Sequence, residues 1–269
     1  MGGARPRPAQ ALDLRTMSTA QAPLLQIDGA LARICLRRPQ VANRLELQDL
    51  QTLEQQLAQV NADAGVRVLL LEAQGKHFCS GFNIDAVPGV DAGALFERLT
   101  DAWEAARPVT VAAIQGGVYG GATDLALACD FRLGTPACAM FVPAARLGLH
   151  FYRGGLQRYV SRLGLGVAKR VLLAGESLEA QAMLDCGFLD RLLPDAAALH
   201  EACAQLCGQL AGMAPLALLG MKKHLNALAE GRLDAAALQA DIAAANASQD
   251  LAEGVRAWQE RRSPRFTGR

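Results

Sequence analysis

Long apolar runs are missing from this chain. None approaches the roughly 20 residues that a helix needs to cross a bilayer, so no membrane span is expected. The first sixteen residues, MGGARPRPAQALDLRT, hold three arginines and two prolines but no apolar stretch of the secretory kind. They read as an extension, with Met17 as a second possible start, and residues 1–18 are set apart from the folded chain. An excess of either charge is missing too: 27 basic residues stand against 26 acidic ones, without a basic stripe, so nucleic acid is not expected as a partner. Cysteine pairs at CxxC spacing are absent. The seven cysteines, an odd number, read as reduced thiols packed in the fold, including Cys203 and Cys207 on one helix face. That excludes a disulfide framework or metal cluster and points to the cytoplasm.

Phosphate-binding signatures are likewise missing. No GxGxxG follows a strand and no GxxxxGK[ST] occurs, so a nucleotide-phosphate cradle is unsupported. Ser80 lies in CSGF rather than GxSxG, which removes the nucleophile elbow. His77 has no nucleophile tied to it and reads as a turn residue.

What is present is an alternation of strand and helix signals. The runs PLLQI and ALARICL flank Asp28-Gly29, a hairpin turn. Leu50, Leu53, Leu57 and Val60 mark one face of a helix. The apolar runs 66–73 and 108–115 have the composition of strands buried on both faces. Helices are expected around 92–106 and after Gly121, and strands near 130–135 and 138–142. From about residue 154 the pattern is nearly all helical. The reading is α/β: a core over 19–199, then a helical appendage over 200–269, read as three helices.

Two loops stand out, 75-GKHFCSGFNI-84 and 116-GGVYGGATD-124, each after a buried strand. In a mainly parallel sheet such loops meet at the carboxyl ends of the strands, where ligands bind. Their small residues leave backbone N–H groups free. Two convergent N–H groups polarise a carbonyl and stabilise the oxyanion or enolate formed from it. Asp124 follows the second glycine pair, at the start of a helix.

Several stretches taken together resemble the crotonase superfamily, the enoyl-CoA hydratase/isomerase family. They are 36-LRRPQVANRL-45, 66-VRVLLLEAQGKHFCSGFNI-84, 108-PVTVAAIQGGVYGGATDLALACDFRL-133, 147-LGL…GGLQRYVSRLG-164, 171-VLLAGESLEAQAMLDCGFLDRLLP-194 and 255-VRAWQERRSPRF-266. The resemblance implies a spiral of ββα units with a C-terminal helical region that makes a homotrimer or a dimer of trimers. It implies an acyl-CoA thioester as substrate, with coenzyme A arriving as part of it and no other cofactor. The oxyanion donors would be the backbone N–H groups of Phe82 and Gly121. Asn43, Arg44 and Leu45 would line the nucleotide and pantetheine path. Trp258 and Arg261 would touch the nucleotide end from a neighbouring subunit, unless Arg261 simply belongs to the solvated run 260-ERR-262.

The chain departs from the family at the acid–base positions. Related hydratases use two glutamates around a water. Asp124 takes the place of the first, one methylene shorter, and Ala144 takes the place of the second. The family's glycine-rich segment becomes 151-FYRGGLQ-157, with Tyr152 where some relatives carry an aspartate. Asp124 reads either as an acid–base group or as a helix cap. Tyr152 reads as a proton donor or as a core aromatic, and His150 is a further candidate. A hydratase-like lyase or an isomerase is expected. A malonyl-type decarboxylase, with Arg153 on the carboxylate, and a non-catalytic acyl-CoA binder are the alternatives.

Overall fold

The computed structural model describes residues 22–83 and 91–269. The extension assigned to residues 1–18 and the end of the first loop at Ile84 lie outside the described residues.

The chain opens with a hairpin, β1 (Leu24–Asp28) against β2 (Leu31–Leu36), antiparallel. Gly29 supplies the positive φ of 55° that this turn requires. Strands β3 (Val68–Ala73), β4 (Val109–Ile114), β6 (Phe131–Gly134) and β9 (Arg191–Leu192) continue the sheet in parallel, in the order β1-β2-β3-β4-β6-β9. A second sheet joins β5 (Val118–Tyr119), β7 (Ala139–Phe141) and β8 (Leu178–Glu179). Both short strands β8 and β9 lie in the part read as nearly all helical. Two-residue pairings carry no period for a sequence pattern to show.

The continuous apolar runs are explained by burial on both faces of the sheet. Leu69, Leu71, Ala112 and Ile114 belong to a core shared with helices α1 (Leu47–Ala62), α2 (Ala92–Glu104), α3 (Gly121–Leu127) and α4 (Arg153–Leu172). Val68, Leu70, Val109 and Val111 face the other way, onto Leu199, Ala202, Cys203, Cys207 and Leu210. These last residues sit on helix α6 (Ala196–Ala211), which follows the short α5 (Ala180–Asp185). Helix α6 thus spans residue 200 and closes the second face of the sheet. All seven cysteines are free thiols.

The projecting helical part begins after α6. It consists of α7 (Pro215–Ala229), α8 (Ala235–Asn246) and α9 (Gln249–Gln259). From 196 onward there are four helices rather than three, because the segment read as an appendage includes α6. Buried Lys222 fastens α7, donating to Pro108 O at 2.6 Å and pairing with Asp130 at 2.7 Å. Buried Asp250 holds the chain end through the N–H groups of Thr267 and Gly268, at 2.7 and 2.8 Å. Among the described residues no single helix is long and apolar enough to cross a membrane.

Candidate active site

The two loops leave the carboxyl ends of the adjacent parallel strands β3 and β4, as their buried runs imply. Asn43 stitches the first loop down. Its carboxamide donates to Gln74 O and His77 O at 2.8 and 2.9 Å and accepts from the Arg38 N–H at 2.8 Å. Gln115 holds the same loop from the β4 side, through Ala73 O, Gly75 O and His77 O.

Leu45 then fixes the turn. Its N–H donates to Gly81 O at 2.8 Å, and its carbonyl accepts from the Asn83 N–H at 2.9 Å. This bridge leaves the Phe82 N–H on the opposite side, without an acceptor among the described residues. The Gly121 N–H, in the first turn of α3, also lacks one among the described residues. Gly81 adopts φ +92°, and a Cβ there would stand 2.9 Å from Tyr119 O and 3.1 Å from Gly121 N. The two predicted donor loops are thus in contact at Gly81. Gly120 turns the chain into α3 with φ 56° and ψ −132°, a conformation essentially restricted to glycine. Thr123 holds that turn by donating to Gly120 O at 2.6 Å, and the Tyr159 hydroxyl donates to Thr123 at 2.6 Å.

Asp124 does not cap α3. It lies fully buried in the first turn, makes no cap hydrogen bond, and both carboxylate oxygens are occupied. Arg158 Nε donates to Oδ1 at 2.7 Å and Nη2 to Oδ2 at 2.8 Å. The Tyr152 hydroxyl donates to Oδ2 at 2.7 Å. Tyr152 therefore points inward, while His150 is exposed, with Nδ1 2.7 Å from Phe151 O. Ala144 packs against the core at the start of a short 3₁₀ turn, Ala144–Leu147, and brings no acid to the site. Arg153 is exposed and lines a cleft with Glu97, Asp101, Glu104 and Glu230. The same cleft also holds Arg158 and Arg232.

The protein has eight phenylalanines, three tyrosines and two tryptophans, and five of these rings gather here. Phe96, from α2, lies between the loops and Tyr152, with ring centroids 6.2 Å from Phe82 and 6.4 Å from Tyr152. Its edge would sit 2.9 Å from a Cβ on Gly121. Phe151 stacks on Tyr152 at 4.9 Å and meets Tyr159 edge-on at 5.7 Å. This low-dielectric wall strengthens the polar contacts it encloses. Burial pushes the Tyr152 phenol well above its ordinary value of 10.0. The Asp124 charge and hydrogen bond push the same way, against smaller opposing effects of Thr100 and Arg158. At neutral pH Tyr152 holds its proton. Burial alone would lower the Arg158 pKa, but its bonds to Asp124, Asp101 and Glu104 raise it, and it stays a cation.

The residues expected at the coenzyme fare differently. The side chains of Asn43 and Leu45 are buried at 1 % and 2 % exposure and are used to build the loop. Arg44 is exposed and pairs with Glu46 at 3.0 Å. Glu46 in turn accepts from Asn83 at 2.8 Å. Trp258 is 87 % exposed on α9, and Arg261 is exposed just beyond that helix. No group of three or more metal-ligating side chains gathers among the described residues.

Sequence reasoning missed Arg158, Thr100 and Phe96. Arg158 stood inside a quoted motif, but nothing local ties it to a carboxylate 34 positions earlier.

The sequence profile described as "Enoyl-CoA hydratase/isomerase" matches residues 26–269. The chain is 32 % identical to the enoyl-CoA isomerase/hydratase fer4 of Mycosarcoma maydis, covering 88 % of this chain and 92 % of that protein. It is 30 % identical to the carnitinyl-CoA dehydratase of Proteus mirabilis, covering 90 % and 96 %. The crystal structure of an enoyl-CoA hydratase from Bacillus anthracis superposes with a TM-score of 0.84 at 26 % identity, covering 93 % of this chain and all of that one.

Proposed function

Since the chain belongs to the enoyl-CoA hydratase/isomerase family, we propose that its site holds a thioester enolate on the Phe82 and Gly121 amides and protonates it from Tyr152. The observation that carries this reading is the Tyr152–Asp124–Arg158 arrangement. Both oxygens of this carboxylate already accept, from a guanidinium and a phenol, rather than standing free to hold a water. A buried phenol that keeps its proton at neutral pH is suited to act as an acid. Ala144 leaves out the second carboxylate that addition of water across a double bond uses.

Such a site fits a substrate that supplies its own electrons. In a malonyl-type CoA the bond to the carboxylate breaks and carbon dioxide leaves. The electron pair passes into the thioester, whose oxygen rests on the two amides. The Tyr152 proton goes to the α-carbon, and water returns a proton to the phenolate. The exposed Arg153, next to Tyr152 in the chain, is the candidate to recognise the departing carboxylate.

Hydration or isomerisation of an enoyl-CoA is the second reading. It is favoured by the carboxylate retained at position 124 and by the names of the relatives. Purified protein given crotonyl-CoA and methylmalonyl-CoA separately, followed by mass spectrometry, decides between them. Loss of 44 mass units from methylmalonyl-CoA, on the order expected for carbon dioxide, with crotonyl-CoA unchanged, supports the first reading. Hydrated crotonyl-CoA with intact methylmalonyl-CoA supports the second.

The coenzyme is assigned to the exposed face at Arg44, with Trp258 and Arg261 reaching it from another copy in a homotrimer or dimer of trimers. The exposed apolar side chains of Met221, Leu225, Leu228 and Ile242 support an assembly that covers α7 and α8.

A further inference from the structure

We propose that Arg158 is a positioning residue, which fixes the Asp124 carboxylate so that one oxygen meets the Tyr152 hydroxyl and holds the phenol against Phe96, which in turn adjoins the Phe82 and Gly121 loops. The inference rests on the reading of Tyr152 as proton donor. An aspartate's terminal torsion is broad, so a lone carboxylate on α3 would leave the phenol without a fixed acceptor. The guanidinium removes that freedom by gripping both oxygens at 2.7 and 2.8 Å in a planar fork.

Arg158 is itself held immobile. It is 1 % exposed. Helix α2 supplies three acceptors: Thr100 Oγ1 at 2.8 Å, Asp101 Oδ1 at 2.7 Å and Glu104 Oε2 at 2.8 Å. Arg162 pairs with the other Glu104 oxygen. The charged groups facing the Tyr152–Asp124 pair are thus Arg158 directly, with Asp101, Glu104 and Arg162 behind it; Thr100, Thr123 and Tyr159 are the neutral polar neighbours. Helix α2 also carries Phe96, so one element sets both the acid's acceptor and the wall against which the phenol lies. When Tyr152 gives up its proton, the phenolate stands beside an anionic carboxylate. Arg158 is the cation that offsets this pair of charges.

A double-mutant cycle tests the assignment. Arg158→Lys keeps the charge and loses the fork. It is combined with Tyr152→Phe, and kcat and KM are measured on crotonyl-CoA and methylmalonyl-CoA. Arg158→Lys is expected to lower kcat at least about tenfold with KM within about threefold, and to cost nothing further in the Tyr152→Phe background. Equal losses in both backgrounds would overturn the assignment while leaving Tyr152 its role. Unchanged turnover in Tyr152→Phe alone would remove the proton-donor reading and Arg158's part with it. Should Arg158→Lys not fold, Thr100→Val loosens the same guanidinium and is judged by the same rule. A substrate-free readout runs alongside, with carbon-13 at Cζ of the three tyrosines. The resonance absent from Tyr152→Phe should move in Arg158→Lys, and an unmoved resonance overturns the proposal.

Discussion

The Tyr152 hydroxyl donates to Asp124 Oδ2 at 2.7 Å, across 28 positions of sequence, while Arg158 closes on both oxygens of the same carboxylate. This contact joins two departures from the family pattern into one hydrogen-bonded unit. In the proposed reaction the phenol holds a proton and the carboxylate orients it.

Tyr152→Phe should leave the fold intact, because its ring keeps the contacts with Phe96 and Phe151. It removes the proton. Turnover should fall by about 10²–10⁴-fold, the usual contribution of one general acid, with KM nearly constant. Steady-state kinetics on whichever thioester the protein consumes is the check, and retention of full kcat would sink the assignment.

Gly81→Ala should damage the oxyanion loops. The residue needs φ +92°, and the added methyl would press on Tyr119 O and on the Gly121 nitrogen. A cost of about 1–3 kcal/mol is expected from strain of this kind. Turnover should drop more than stability alone explains, because the methyl acts where the two donors meet. Urea unfolding and kcat on the same sample separate these effects.

Asn43→Ala should destabilise the first loop. It deletes three partly buried hydrogen bonds, leaving the Arg38 N–H and two carbonyls to find other partners. The expected loss is about 2–4 kcal/mol. If coenzyme A binding weakened with stability unchanged, the side chain would instead be a ligand contact.

Alkaline pH should weaken the fold from about pH 9 upward. Burial pushes the Cys79 and Cys129 thiols from 9.0 up to about 12. A folded-state value raised in this way leaves stability fully present below pH 9, and it is lost as the pH climbs toward 12. Each thiol contributes about 1.4 kcal/mol per pH unit inside that window. Tyr159, also raised by burial above 10.0, adds to the decline beyond pH 10. The midpoint of thermal unfolding followed from pH 7 to pH 10.5 should be flat and then fall. A flat profile throughout would contradict the burial of these groups.

Trp258→Ala should change stability by no more than about 0.5 kcal/mol, since the side chain is 87 % exposed within one chain. If the residue meets coenzyme A in the assembly, KM for the thioester rises while kcat holds. An unchanged KM would detach Trp258 from the coenzyme.

Much of the fold is legible in the sequence. The runs 66–73 and 108–115 are mostly apolar, without alternation, because both faces of β3 and β4 are buried, and the Asp28-Gly29 hairpin follows from local turn chemistry. The two-residue strands β8 and β9 were not legible, since their pairing is decided by β7 and β6 rather than by their own residues. Helix α6 was taken for part of an appendage because a buried helix face does not say which surface buries it. At the site, the loops of Phe82 and Gly121 were legible from their glycines and the strands before them, and Asp124 and Tyr152 were legible as candidates. Their pairing was not.

The sequence by itself determined the family and singled out the two glycine-bearing loops, and it puts alanine at position 144, where the resemblance implies an acid. Each of these is carried by residue identity at a fixed spacing, and spacing along the chain survives without coordinates. Only the tertiary structure decided that Asp124 is an acceptor clamped by Arg158, that Tyr152 turns inward while His150 faces solvent, and that Asn43 builds a loop. A carboxylate's chemistry depends on what it faces, and the groups facing Asp124 come from α4 and the residue that precedes it, brought beside α3 by packing against α2. No local pattern encodes that approach, because it is set by how three helices share one buried cation.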